Sequence, residues 1–460
     1  MKRRDCLGLL AGAALAQQAP LYGLVIRNGT VCDPTRNFKR RADVAISGDR
    51  IAAIADSIPA SQALESVDAS GCFVTPGLVD LHTHCFWGGT GLGIEACPIA
   101  ARSGVTTWVD AGSFGVTSVD GFRRFIVEPS PVRIFGYVYL YPDNRNPDDD
   151  HVKYVRSFVK RTGEAVIANR DILLGVKLQV GANMNGKYSY DFLKIARELC
   201  DTYRIPLMAH ISFAPPSTDQ VMELMRPGDV VTHCYNTHTL GIIDGNGKVR
   251  QSVLEARRRG VLFDVGHGLG SFNFEAARKA LADGFVADTI STDIYNLNVI
   301  RGPVYDMPTT MSKMMHLGMS FDDVLSRTTI APAKIINRVP GMGTLDVGSP
   351  ADVAVLKIED GEFPLVDSQR NTVMAKQRVV SKLTVCRGRK VGCRLPFRAP
   401  DLRTRASRWS SHFALARAPS PKRTDSLSNW NPMGSPGLGS RRPWRDLFTP
   451  RTRPRVAGRS

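Results

Sequence analysis

The sequence predicts an α/β protein: a (β/α)₈ TIM barrel with a small composite β-sandwich built from both chain ends. Three observations carry this. Apolar strands alternate with polar, helix-period stretches through about 76–338. Ionisable residues collect at the C-terminal ends of those strands, the face on which such barrels place their functional groups. Short apolar runs split by turn residues fill 21–75 and return within 339–395.

Taken in order, residues 1–20 read as an export signal. Lys2-Arg3-Arg4 gives a basic start, Cys6 to Leu15 is short and apolar, and Ala14-Leu15-Ala16 supplies a small-x-small cleavage site. The stretch is too short to span a bilayer, and the paired Arg3-Arg4 resembles a twin-arginine signal, so a periplasmic location is expected, with the cytoplasm as the alternative. In 21–75, the runs Leu24-Val25-Ile26, Ala42 to Ile46 and Ile51 to Ile54 are split by Asn28-Gly29 and Ser47-Gly48-Asp49, which are turn chemistries. Ala351 to Ile358 is the returning β segment.

Eight barrel strands are expected: Leu78-His84, Thr106-Gly112, Arg133-Leu140, Ile172-Val180, Pro206-Ser212, Val230-Cys234, Val261-His267 and Asp288-Tyr295. Helical candidates between them include 191–203, 251–259 and 274–283, with breakers such as Gly104 and Pro206 near element ends. Strand counting alone also allows a doubly wound open sheet; the placement of the polar residues favours the barrel.

Residues 396–460 change character, being rich in Arg, Pro, Ser and Gly without periodicity, and read as a basic disordered tail with no catalytic role. Trp409, Trp430 and Trp444 are unusual in such a segment. From 397 onward the tail holds 14 Lys/Arg against 3 Asp/Glu, so +11 of the formal +17 sits there. The folded part is therefore only mildly basic, and no specific nucleic-acid partner is expected. The nine cysteines include no C-x-x-C pair, which argues against zinc ribbons and thioredoxin-type motifs. Cys386 and Cys393 lie close enough in sequence to pair in an oxidising compartment.

The chemistry-bearing residues fall at strand ends. His82 and His84 are two apart on the first barrel strand, so both face one way and can bind one ion through neutral imidazole nitrogen. Lys177 lies in Ile172-Leu173-Leu174-Gly175-Val176-Lys177-Leu178, where a charged amine is costly to bury. It is either a rim lysine or one that reacts with CO₂ to give a carbamate able to bridge two metals. His210 and His233 end adjacent strands and together supply two nitrogens for a second ion; Asp293 can bind metal and accept a proton. His238 is the competitor to His233, which has the better strand-end context. His151, His316 and His412 read as surface or helix residues.

The set His82-x-His84, Lys177, His210, His233, Asp293 resembles the binuclear branch of the amidohydrolase superfamily. Pro76-Gly77-Leu78-Val79-Asp80-Leu81-His82-Thr83-His84, Ser103-Gly104-Val105-Thr106-Thr107 and the run Gly341 to Ala354 extend the likeness over about 21–395. Phe86-Trp87-Gly88-Gly89-Thr90, Asp110-Ala111-Gly112-Ser113, Phe263-Asp264-Val265-Gly266-His267-Gly268 and Thr309-Thr310-Met311-Ser312-Lys313 resemble the amidohydrolase/deacetylase group related to dihydroorotase. The resemblance implies that His82, His84 and Asp293 hold one divalent ion and His210 and His233 another, with zinc the expected metal. Carbamylated Lys177 and a hydroxide would bridge the two, Asp293 would move the proton, and His267 would face substrate. The expected reaction is hydrolysis of an amide bond, as in deacylation of an N-acyl amino acid or similar small compound. Cyclic amide or imide hydrolysis and a metal-free scaffold are the alternatives, and a homo-oligomer is compatible with either. Phe86 stands where dihydroorotases carry a carboxylate-gripping arginine, which lowers that reading, and the aromatic-glycine run Phe86 to Gly89 suggests a roomier, more apolar pocket wall. Tyr295 stands where several relatives have histidine.

Overall fold

The structure is a computed structural model that describes residues 20–141 and 149–392. The expected export signal at 1–20 falls almost wholly outside these residues, and the basic tail does so entirely. Five strands come first: β1 (Tyr22–Asp33), β2 (Phe38–Ser47), β3 (Arg50–Ala55), β4 (Ala63–Asp68) and β5 (Phe73–Pro76). Seven follow in the middle: β6 (Leu78–Thr83), β7 (Val105–Gly115), β8 (Arg133–Tyr139), β9 (Leu173–Val180), β10 (Leu207–Ile211), β11 (Val230–Thr232) and β12 (Leu262–Asp264). The last three are β13 (Val353–Val366), β14 (Thr372–Cys386) and β15 (Arg389–Lys390).

β6 to β12 form one parallel sheet in sequence order. Helices such as Ser189–Tyr203 and Gln251–Arg258 separate most of its strands and Phe274–Ala282 follows β12, all within a few residues of the predicted spans. Sequences such as LLGVKLQV in β9 are apolar on both faces because helices cover one side and the barrel interior the other. The predicted eighth strand, Asp288–Tyr295, is not a continuous strand. It bridges β12 at Thr289 and β6 at Ile294, both in parallel sense, which closes the sheet on itself. Its ladder is broken because Asp293 adopts left-handed backbone (φ 46°). Even so, Asp293 N–H donates to His82 O at 2.7 Å, so the seam is hydrogen-bonded at the point where the reactive residues meet.

Both chain ends contribute to one further sheet, of order β15-β14-β13-β5-β1-β2-β3, with β4 paired to β1. Its hydrogen bonding is continuous from end to end. The returning segment is much longer than Ala351 to Ile358, running as a hairpin from Val353 to Cys386. This hairpin lies against the barrel: Thr384 Oγ1 donates to Ala100 O, and Val379 N–H donates to Ser312 Oγ. Its turn, residues 367–371, reaches the loop that follows β12: Asn273 Nδ2 donates to Asp367 Oδ2, and Gln369 bonds both Asn273 and Thr237. Cys386 is a buried free thiol that donates to Thr106 O at 3.6 Å, so the suggested Cys386–Cys393 pairing is not made. His151 lies in the helix Asp149–Ala168, as expected, yet it is buried against Tyr141 and Phe192 rather than on the surface.

Candidate active site

His82 and His84 leave the end of β6 on one side, their ring centroids 5.7 Å apart. Both Nε2 atoms converge on Asp293 Oδ1, at 3.3 Å from His82 and 3.1 Å from His84. His233, just past β11, places its ring 4.9 Å from that of His82. One ligand atom from each of His82, His233 and Asp293 lies within 4.8 Å of the others, a geometry that suits a single ion. The His210 ring stands edge-on to His233 at 4.3 Å. Lys177 Nζ, buried on β9, is 3.0 Å from His82 Nε2. The structure thus brings together His82, His84, Lys177, His210, His233 and Asp293 from four strands, β6, β9, β10 and β11, and the closing seam.

The protons in this cluster can be placed from the hydrogen-bond network. Thr232 Oγ1 donates its only hydrogen to Asp264 Oδ2 at 2.8 Å. It must therefore accept from His82 Nδ1–H, 2.8 Å away. The lone pair of His82 then sits on Nε2, facing the lone pairs of Asp293 Oδ1 across 3.3 Å. Likewise His233 Nδ1–H donates to Gly266 O at 2.5 Å, leaving a buried Nε2 that makes no hydrogen bond among the described residues. His82 Nε2 has the Lys177 amine as its donor, whereas the buried His233 Nε2 has none; a buried acceptor without a donor is costly, and a cation satisfies it.

Burial pushes His82 and His210 well below the ordinary imidazole range, and His233 down to about 4, so all three rings are neutral and ready to bind metal. The same burial lowers the Lys177 amine to about 8, against the pull of Asp293, Asp264 and Asp110. His233 and Asp293 both have left-handed backbone, φ 71° and 46°, which costs each about 1–3 kcal/mol and clusters at functional sites.

A second layer of carboxylates escaped the sequence reading. Asp264 accepts from Thr232, Thr289 and Ser291; Asp80 accepts from the Thr292 hydroxyl and amide. Burial raises Asp80 to about 7 and Asp264 above its ordinary value. Asp110 accepts from Cys85, Phe86 and Ser113 N–H, while Ser113 Oγ contacts His84 Nδ1 at 2.8 Å. The available signal was an aspartate inside an apolar strand, which must find several donors or neutralise.

One expectation needs correction. His267 does not face an open pocket. Its ring is fully buried, its Nδ1–H donates to Gly268 O, and its Nε2 contacts Lys313 Nζ at 2.8 Å. Left-handed backbone at Gly266 and Gly268 turns the residue between them into the wall. Within the run Phe86 to Gly89, Phe86 turns its ring edge-on to Phe114 and Phe122, and Trp87 is the exposed aromatic. His238 lies away from the cluster, with Nε2 on Gly270 O and its ring against Phe213. Tyr295 stands edge-on to His84 at 6.0 Å.

Residues 73–391 match the model of the amidohydrolase family. The chain belongs to that family. An amidohydrolase relative, a deacetylase of Agrobacterium fabrum, is 34% identical over 341 residues, covering 73% of this chain and 83% of its own. The crystal structure of an adenine deaminase superposes with a TM-score of 0.73 at 33% identity, covering 80% of this chain and 99% of that one. The crystal structure of a dihydroorotase gives 0.73 at 30%, covering 80% and 97%. Amidohydrolases are generally binuclear metal enzymes, and the donor set here fits: neutral imidazoles, a carboxylate and the unpartnered, buried His233 Nε2.

Proposed function

We propose that this protein is a metal-dependent amide hydrolase that deacylates an N-acyl amino acid or a similar small compound. The observation that carries it is the convergence of unprotonated His82 Nε2 and Asp293 Oδ1 at 3.3 Å, beside the unpartnered His233 Nε2. His82, His84 and Asp293 would hold one divalent ion and His210 and His233 the other. Nitrogen and oxygen donors of this kind suit zinc, and also manganese, iron or cobalt. When bound, such ions acidify water and polarise a carbonyl.

The chain's own groups do the rest. Lys177 is the candidate bridge: its neutral amine attacks CO₂, an N–C bond forms and one proton is released, leaving a carbamate anion. Burial lowers its pKa to about 8, which raises the share of neutral amine near neutral pH above that of an ordinary lysine. Asp293 takes a proton from the attacking water and returns it to the leaving nitrogen. Asn298 Nδ2–H holds the Asp293 backbone carbonyl at 2.7 Å, fixing the residue in its strained conformation. The Thr232–Asp264 pair keeps His82 in the tautomer whose Nε2 can bind metal.

Elemental analysis of the full chain, produced with zinc and bicarbonate, is the first test. About two equivalents support the bridged site; about one removes the bridging role from Lys177; a folded protein without metal refutes the enzyme reading. N-acetyl amino acids should then turn over faster than dihydroorotate or hydantoins, and the reverse order would favour cyclic amide hydrolysis. Among the described residues no helix is long and apolar enough to cross a membrane. The basic, apolar and small-residue order of 1–20 supports export, and a mature chain that retains Lys2-Arg3-Arg4 in the cell would refute it.

A further inference from the structure

The tripeptide Gly266-His267-Gly268 lies between two of the residues assigned to metal. On one side Gly266 O accepts the His233 Nδ1 proton. On the other, a Cβ at Gly268 would stand 2.3 Å from Asp293 Oδ2, so that carboxylate rests directly against the Gly268 backbone. The strip is tied to the closing seam by Gly266 N–H to Ser291 Oγ, His267 N–H to Ser291 O and Gly268 N–H to Thr292 O. Any shift of this strip moves the direction of His233 Nε2 and the position of Asp293 together.

What fixes the strip from behind is a buried pair far apart in sequence. Lys313, on the helix Met307–His316, is fully buried and donates to His267 Nε2 and to Pro303 O, both at 2.8 Å. The His267 ring stacks on Phe272, with centroids 4.5 Å apart and planes at 24°. From the terminal sheet, Ser368 Oγ donates to Gly268 O at 3.2 Å and accepts from Phe272 N–H at 3.1 Å. None of these groups enters the reaction described above, and their polar atoms are all spent on one another.

We propose that Lys313 and His267, with Ser368, are positioning residues that hold the Gly266–Gly268 strip and thereby aim His233 and Asp293 at the metal. This rests on the reading that those two residues bind metal. It predicts that metal affinity depends on a lysine that touches neither metal nor substrate. The test is zinc affinity of the full chain by chelator competition, with the thermal midpoint of the metal-free protein measured alongside. Lys313→Met should leave the metal-free protein folded and weaken zinc about 10- to 100-fold, the scale of losing an outer-shell partner. A folded Lys313→Met with native zinc affinity overturns the inference. Should that variant fail to fold, Ser368→Ala decides: zinc weakened about 3- to 10-fold, the scale of one hydrogen bond, supports the brace, and unchanged affinity overturns it. Wild-type protein that binds no zinc refutes the metal reading itself; normal wild-type binding with indifferent variants refutes only the brace.

Discussion

Two buried lysines touch a histidine Nε2 in this molecule, and their surroundings differ. Lys177 reaches His82 at 3.0 Å from inside the barrel mouth, beside His233 Nε2, which makes no hydrogen bond among the described residues. Lys313 reaches His267 at 2.8 Å from an outer helix, where Pro303 O and Gly268 O complete the bonding. Burial lowers both amines, to about 8 and about 7. The contact is the same; the degree of satisfaction is not. A buried polar cluster that closes on itself holds geometry, and one that stays open needs something from outside.

Four experiments break or sharpen that contrast. Largest is Asp293→Asn, which should lower turnover about 10²- to 10⁴-fold while zinc content is retained; turnover within a few-fold of wild type would remove Asp293 as the proton carrier. Next, Lys177→Ala should lose about one of about two zinc equivalents, with partial rescue by short carboxylates; unchanged metal content would place Lys177 with Lys313 as a structural amine. Gly268→Ala introduces a Cβ 2.3 Å from Asp293 Oδ2 at φ 54°. It should cost about 1–3 kcal/mol in urea unfolding of the metal-free chain, and a cost under about 0.5 kcal/mol would show that the strip yields.

The smallest effect is a pH slope. With the folded Lys313 amine near 7 and its ordinary value at 10.5, the unfolded chain binds more protons between those limits. Stability of the metal-free protein should therefore rise with pH across that window, by at most about 1.4 kcal/mol per unit from this group. His267, Asp306 and Asp367 are the ionisable neighbours that face or act on it. Lys313→Met should flatten the slope relative to wild type; identical slopes would show that the amine stays charged.

The sequence made the first lysine legible and hid the second. Strand period and strand-end position located His82, His84, Lys177, His210, His233 and Asp293, because a parallel barrel sends consecutive strand ends to one mouth. His267 obeyed the same rule on paper and failed it in space, since the glycines on either side reverse the backbone. Lys313 sits 46 residues from its partner on a helix whose inward face carries no periodic mark of a polar contact. Thr232 and Asp264 stood in plain view in strands, but a tautomer-fixing role appears only when both meet His82. The long hairpin was half legible for a similar reason: beyond Ile358, charged residues such as Glu359, Asp360 and Glu362 interrupt the apolar run. The eighth strand was found at the right place but not with the right regularity, because Asp293 gives up strand geometry to face the histidines.

The sheet shared by the two ends has a consequence for synthesis. β5 pairs on one edge with β1, close in sequence, and on the other with Val353–Leu356 of β13. Until the ribosome has delivered those residues, the Phe73–Pro76 edge has unmatched amides and carbonyls. At 5–20 residues per second the wait is on the order of 15–60 s. An open strand edge held that long invites pairing with other nascent chains. The whole barrel must therefore emerge while the strand leading into its first histidine pair still lacks one neighbour, which makes this edge the natural place for a chaperone to act.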